Sequence, residues 1–228
     1  DFGIGLVRSR EERFDDAIVS FKTAISKKSD FYDAYAEMGY AYADLGEMEL
    51  AQEVVDFLEN QSSGLADTVS QYMYKVDPPK FTLAYSTDFF SSQPMNTSLA
   101  SMGDYLADPN GSETFTMKFV FDKEMDRESV ENTLNWGIGR STGSGPGEAY
   151  NFGLPVADTE ITPSRYPDHV YYDDQSLTAV VTFSLTQNDS ANGTIDPSHI
   201  EFTFTGKDQY GYKMSPEGDQ YRGFNGVA

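Results

Sequence analysis

The segment Tyr35-Ala36-Glu37-Met38-Gly39-Tyr40-Ala41-Tyr42, taken up again at Ala51-Gln52-Glu53-Val54-Val55, has a counterpart 34 residues earlier in the chain. Ile4-Gly5 falls on Met38-Gly39, Phe14 on Met48, Ala17 on Ala51, Phe21 on Val55 and Ala24 on Leu58. A fixed period of this length marks a repeated supersecondary unit. Small residues set among large ones at helical spacing mark the contact between two antiparallel helices. Gly39 and Ala51 permit close approach, and Tyr35, Met38, Tyr42 and Val55 fill the space around them. Gly46 supplies the turn inside the second hairpin, and Asp30, or Ser29 before it, is placed to cap the helix that opens it. Residues 62–76 predict one more amphipathic helix, because Leu65, Val69, Tyr72, Met73 and Val76 share a face. That helix reads as a cap on the second hairpin. The first hairpin has no such cover on its N-terminal face.

The period and the pattern Tyr35-x-x-Met38-Gly39-x-x-Tyr42, then Ala51-x-x-x-Val55, resemble the tetratricopeptide repeat, with Tyr for Trp and Met for Leu. The first copy is weaker, with Asp1 and Arg8 where aromatics are usual. The resemblance implies a concave groove lined by the inner faces of the first helices. Position by position it points to Leu6 and Arg10 in the first repeat and to Asp33, Tyr40 and Asp44 in the second. The Lys and Asn set that clamps C-terminal carboxylates in chaperone adaptors is absent, and Asp33 and Asp44 repel such a peptide. A basic or amphipathic partner is expected, with Tyr40 as its exposed anchor.

All ten prolines lie at or beyond Pro78, together with most of the glycines. Proline-free sequence suits helices, whereas Pro and Gly punctuation suits strands and turns. The boundary Asp77-Pro78-Pro79 therefore reads as a short stiff linker, dividing a helical domain over residues 1–76 from a β domain over 80–228. In the second part Phe115, Met117, Phe119 and Phe121 alternate with polar or small neighbours. So do Leu177, Ala179, Val181, Phe183 and Leu185, and Ile200, Phe202 and Phe204. Shorter candidates are Phe81–Tyr85, Leu134–Gly139, His169–Tyr172 and Tyr221–Phe224. About seven strands with turn signals between them predict an antiparallel β-sandwich, and the whole chain an α + β multidomain protein.

Two stretches bear on the kind of sandwich. Phe119-Val120-Phe121-Asp122-Lys123-Glu124-Met125-Asp126-Arg127-Glu128-Ser129-Val130 resembles the strand-then-turn opening of bacterial Ig-like domains of the surface-layer type. Gly206-Lys207-Asp208-Gln209-Tyr210-Gly211-Tyr212 resembles their closing segment, with Tyr212 in place of Asn. The stretch 140–168 between them is longer and richer in Gly and Pro than the resemblance calls for.

The chain of 228 residues has 16 Lys plus Arg against 37 Asp plus Glu, a net charge of −21 spread over both halves. Such a field disfavours nucleic acid and anionic lipid as partners. No run approaches the ~18 apolar residues of a membrane span. There is no cysteine, so disulfides, thiolate metal sites and cysteine nucleophiles are excluded. Opening on Asp1 rather than Met, the chain reads as a fragment or processed product. No nucleophile elbow, phosphate loop or dinucleotide fingerprint occurs, and no enzymatic activity or resident cofactor is expected. His169 and His199 lack the spacing of a zinc pair and read as surface or turn residues. Calcium is the one candidate ion. Asp108-Pro109-Asn110-Gly111-Ser112-Glu113 sets oxygen side chains around a glycine turn, with Asp108, Asn110 and Glu113 as ligands, and Asp168 with Asp173-Asp174 forms a second acidic turn. Five Asn-x-Ser/Thr triplets and Trp136 leave glycosylation and sugar binding without a specific signal.

These readings converge on a structural or protein-interaction protein. Its repeat module mediates partner binding or self-assembly, and its Ig-like domain acts as spacer or display module in an extracytoplasmic, cell-surface or filament setting. The alternative is an adhesive module that depends on calcium or carbohydrate.

Overall fold

The computed structural model describes residues 1–88, 93–145 and 147–224. The chain divides into two compact units, Asp1–Asp77 and Pro78–Ala228. The first holds five helices: α1 (Phe2–Arg10), α2 (Phe14–Lys27), α3 (Tyr32–Asp44), α4 (Met48–Asn60) and α5 (Leu65–Val76). Successive helices pack against one another, and α5 lies against both α3 and α4.

The 34-residue spacing has a steric basis. A side chain on Gly5 would meet the Phe21 ring at 2.4 Å, and one on Gly39 would meet Val69 Cγ1 at 2.8 Å and Val54 Cγ1 at 3.2 Å. Ala17 and Ala51 are fully buried, as are Phe21 and Val55. One pair breaks the symmetry. Met38 is buried, whereas its counterpart Ile4 is 54% exposed and Val7 beside it 52%. The difference follows the packing among the described residues: α3 has α2, α4 and α5 against it, whereas α1 packs mainly against α2. The expected cap at Ser29 or Asp30 does not form. Phe31 takes the N-cap position of α3 without a side-chain bond, and the Tyr32 N–H reaches the Asp30 backbone carbonyl instead. Gly46 turns the second hairpin at φ +78°, a conformation open to glycine.

The second unit contains nine strands among the described residues: β1 (Phe81–Tyr85), β2 (Thr97–Ser98), β3 (Ser112–Phe121), β4 (Trp136–Arg140), β5 (His169–Asp173), β6 (Thr178–Thr186), β7 (Thr194–Ile195), β8 (Ile200–Phe204) and β9 (Gln220–Arg222). They form antiparallel sheets of order β1-β3-β6-β5, β4-β8-β9 and β2-β7. The alternation in β3 holds in full: Phe115, Met117, Phe119 and Phe121 are all buried. The Phe119 and Phe121 rings meet those of the other sheet, Phe119 to Phe202 at 5.3 Å and Phe121 to Phe204 at 5.6 Å. Trp136 is buried and its Nε1–H donates to the Val130 carbonyl, so it offers no surface platform for a sugar. Leu134 is exposed in a 3-10 turn that precedes β4, and Leu177 sits in a turn at φ 53° before β6. No strand forms between β4 and β5 among the described residues. That stretch is tied down by isolated bridges instead, Thr142 to Ala149 and Glu160 to Thr194.

The two stretches singled out in the sequence are joined in space. Lys123 Nζ lies 3.2 Å from Asp208 Oδ2, with side-chain exposures of 2% and 0%. Asp208 Oδ1 accepts the N–H groups of Tyr210 and Tyr212 at 2.9 Å each. The Asp126 N–H donates to Lys207 O, and that of Gln209 to Glu124 O. Position 212 contributes its backbone to this clasp, which is why Tyr serves there. Short helix α6 (Arg127–Glu131) starts at Asp126, whose side chain accepts the Ser129 N–H at 2.7 Å. Its Arg127 donates to Tyr172 O and its Glu131 accepts the Tyr172 N–H, which fills the hydrogen-bonding edge of β5.

Candidate functional site

Helices α1, α3 and α5 enclose a groove of about 350 Å³ within the helical unit. Leu6, Arg10, Tyr40 and Asp44 line it, four of the five residues picked from the sequence. Asp33 does not; it is exposed on α3, one turn before Glu37. Phe14, Glu37 and Tyr72 complete the lining that matters here. A helix turns 3.6 residues per revolution, so positions 33, 37, 40 and 44 of α3 follow one stripe.

Tyr40 differs from expectation. It is half-buried rather than an exposed anchor, because α5 braces it. Its hydroxyl lies 3.0 Å from Thr68 Oγ1 as donor, and its ring meets the edge of Tyr72 at 5.0 Å. The Tyr72 hydroxyl in turn donates to Asp44 Oδ1 at 2.6 Å. Two tyrosines and one aspartate thus make a fixed wall. The opposite side carries Leu6, Phe14 and the exposed Arg10. The buried Ser9 hydroxyl of α1 also borders the groove and has no hydrogen-bond partner.

Glu37 is the residue the sequence reading passed over. It is half-buried, and among the described residues it makes no hydrogen bond or ion pair. Burial lifts its carboxyl above the ordinary Glu range; Arg10 pulls it back, and Asp33 adds to the lift. The signal for it was present in the stripe shared with Asp33, Tyr40 and Asp44. Tyr72 was read as a core position of the capping helix, and its contact with the groove depends on packing that spacing alone does not reveal.

The predicted calcium ligands are placed as follows. Asp108 and Asn110 are exposed in a turn where the Gly111 N–H donates to Asp108 O and the Asn110 N–H to Asn188 O. Asn110 takes φ 58°, which Asn tolerates. Glu113 lies on β3 with its carboxylate against Gly103, accepting the Tyr105 N–H at 3.2 Å. In the second acidic turn Asp173 takes the Ser176 hydroxyl and the Gln175 N–H, which holds its carboxyl below the usual range. Asp174 takes the Gln175 side-chain amide and Arg127, with the same effect. Asp168 accepts the Ser184 hydroxyl. Among the described residues no three His, Asp or Glu side chains gather as a group able to hold a metal ion.

His169 is exposed at the start of β5. His199, expected as a surface or turn residue, sits in a 3-10 turn but is buried: Nδ1 lies 2.6 Å from Asp196 Oδ2, Nε2 lies 2.9 Å from Gly147 O, and the Phe152 ring covers it edge-on. Asp196 is only three residues away, but Gly147 is 52 residues away in sequence, which local pattern cannot show. No helix is long and apolar enough to cross a membrane among the described residues. No family model, curated protein or solved structure matches the chain.

Proposed function

We propose that the chain is a non-enzymatic protein-interaction and structural protein. Its tetratricopeptide-like helical unit attaches to a partner through the groove between α1, α3 and α5. Its surface-layer-type Ig-like unit serves as spacer or display module in an extracytoplasmic or cell-surface assembly. The observation that carries the reading is the groove itself. Four residues chosen from repeat positions alone line one concavity, with aromatic walls and polar groups that have no partner within the unit. In the β unit Asp208 is engaged by Lys123 and two N–H groups and the acids of the 168–174 turn by their neighbours, while the buried Glu160 Oε1 and Asp196 Oδ1 stay without a hydrogen-bond partner but line no groove with the repeat-derived residues. The acidic rim of Asp33, Glu37 and Asp44 favours a basic or amphipathic partner and makes association sensitive to salt.

The test uses the full chain immobilised against proteins of the source cell, as wild type, Leu6→Lys and Tyr171→Asp. Tyr171 is an exposed strand residue of the β unit. Loss of a specific partner with Leu6→Lys and retention with Tyr171→Asp supports the groove. The reverse pattern transfers attachment to the β unit. Light scattering of the purified chain separates a different partner from a second copy. Growth of the particle with concentration identifies self-assembly, for which exposed Ile4 and Val7 supply apolar surface.

A further inference from the structure

Taking the groove as the attachment site, we infer that Glu37 selects the partner: the groove seats a peptide segment of another protein that places one Lys or Arg side chain on the Glu37 carboxylate. The argument starts from which charges are already used. Asp44 holds the Tyr72 hydroxyl, and Asp33 stands outside the lining. Glu37 alone among the groove acids has both oxygens without a hydrogen bond or ion pair among the described residues. Arg10 lines the same groove, is exposed, and forms no ion pair with it.

A partner that covers the groove strips the remaining water from Glu37. A buried carboxylate whose only cationic neighbour among the described residues is the exposed, unbonded Arg10 is disfavoured, so a neutral or acidic segment is penalised and a cation at that point is favoured. The walls fit the rest of a long basic side chain. Leu6 and Phe14 can cover its aliphatic stem, and the Tyr40 ring offers a face to the cation. A bare metal ion fits poorly, since only one free carboxylate is present and no three-acid group exists among the described residues. The orphaned Ser9 hydroxyl gives the peptide backbone a further hydrogen-bonding point. The lifted Glu37 carboxyl agrees with this account, because the charge is held without a mate until a partner supplies one.

The experiment is selection of a displayed library of random 16-residue peptides on the full-length chain, run in parallel on wild type and Glu37→Gln. The expected outcome is a set of peptides sharing one Lys or Arg position. Their affinity should fall by about tenfold or more on Glu37→Gln, and equally when that Arg is replaced by neutral citrulline. The same variant should melt no lower than wild type. Groove-bound peptides, identified by loss on Leu6→Gln, that share no basic position overturn the role of Glu37 and leave the groove intact. So do basic peptides that bind Glu37→Gln as well as wild type. Absence of any groove-dependent peptide overturns both readings. Concentration-dependent self-association abolished by Glu37→Gln would place the basic segment in a second copy and overturn the choice of a separate partner.

Discussion

The helical and β units treat buried charge in opposite ways. In the β unit Asp208 is fully buried and is met by Lys123 and two backbone N–H groups, and Asp196 is met at Oδ2 by His199 and the Asn151 N–H while its Oδ1 has no hydrogen-bond partner. These charges fasten distant segments to one another. In the helical unit the ion pairs lie at the surface, as between Arg13 and Asp16, and the one half-buried carboxylate of the groove, Glu37, has no mate. A buried charge that is paired does structural work, and its removal should cost stability. One left unpaired burdens the fold, and its removal should cost recognition instead. The core materials differ too. Small residues at Gly5, Gly39, Ala17 and Ala51 let helices close, whereas large aromatic rings fill the space between sheets.

The largest expected effect breaks the β-unit clasp. Lys123→Met leaves Asp208 charged and buried without its counter-ion, a change worth about 3–5 kcal/mol. Thermal unfolding followed by the fluorescence of the single Trp136 should register it. A loss below about 1 kcal/mol would mean that the two N–H groups suffice and that the ion pair is incidental. Next comes Gly39→Leu, which drives a branched side chain into Val54 and Val69 and costs about 1–3 kcal/mol by overpacking. Circular dichroism at 222 nm should show an earlier helical melt than for the exposed control Glu47→Gln. Equal melts would remove the steric basis of the 34-residue period. Asp126→Ala deletes the cap of α6 and should cost about 1 kcal/mol.

Glu37→Gln should act in the other direction. Because burial raises the folded-state pKa, the folded chain binds more protons than the unfolded one just above the ordinary Glu value of 4.5. Stability from this group therefore rises as pH falls through that window and is lost as pH rises beyond the folded-state pKa. At neutral pH the variant should melt at or slightly above wild type, and the gap should close on acidification. A variant that melts lower at pH 7 would assign Glu37 to the fold. Calcium should have the smallest effect. Glu113 is engaged by Tyr105, so millimolar calcium should leave the melting temperature within error of magnesium. A calcium-specific rise abolished by Asp108→Ala would establish the 108–113 loop as a site.

Periodic features were legible in the sequence because burial imposes them directly. The 34-residue register, the alternation in β3, β6 and β8 and the change of composition at Pro78 all follow from which faces must leave water. Features that depend on distant partners were not. The burial of His199 depends on Gly147, 52 residues away, and Tyr40 is braced because α5 folds back onto α3. The helix cap failed for a local reason: a backbone carbonyl satisfied the N–H that Ser29 or Asp30 was expected to serve. Glu37 lay between the two, legible as the second member of an acidic stripe and overlooked because its half-burial depends on helix packing that spacing does not reveal.

Attachment through the helical groove is tested most directly by photocrosslinking in the source cell. Benzoylphenylalanine is placed in the full chain at position 10, beside the groove, or at position 171, on the β unit. Crosslinking from position 10 to one defined protein, absent from position 171 and lost with Glu37→Gln, is the predicted result. The same adduct forming from position 171 and not from position 10 would contradict the account.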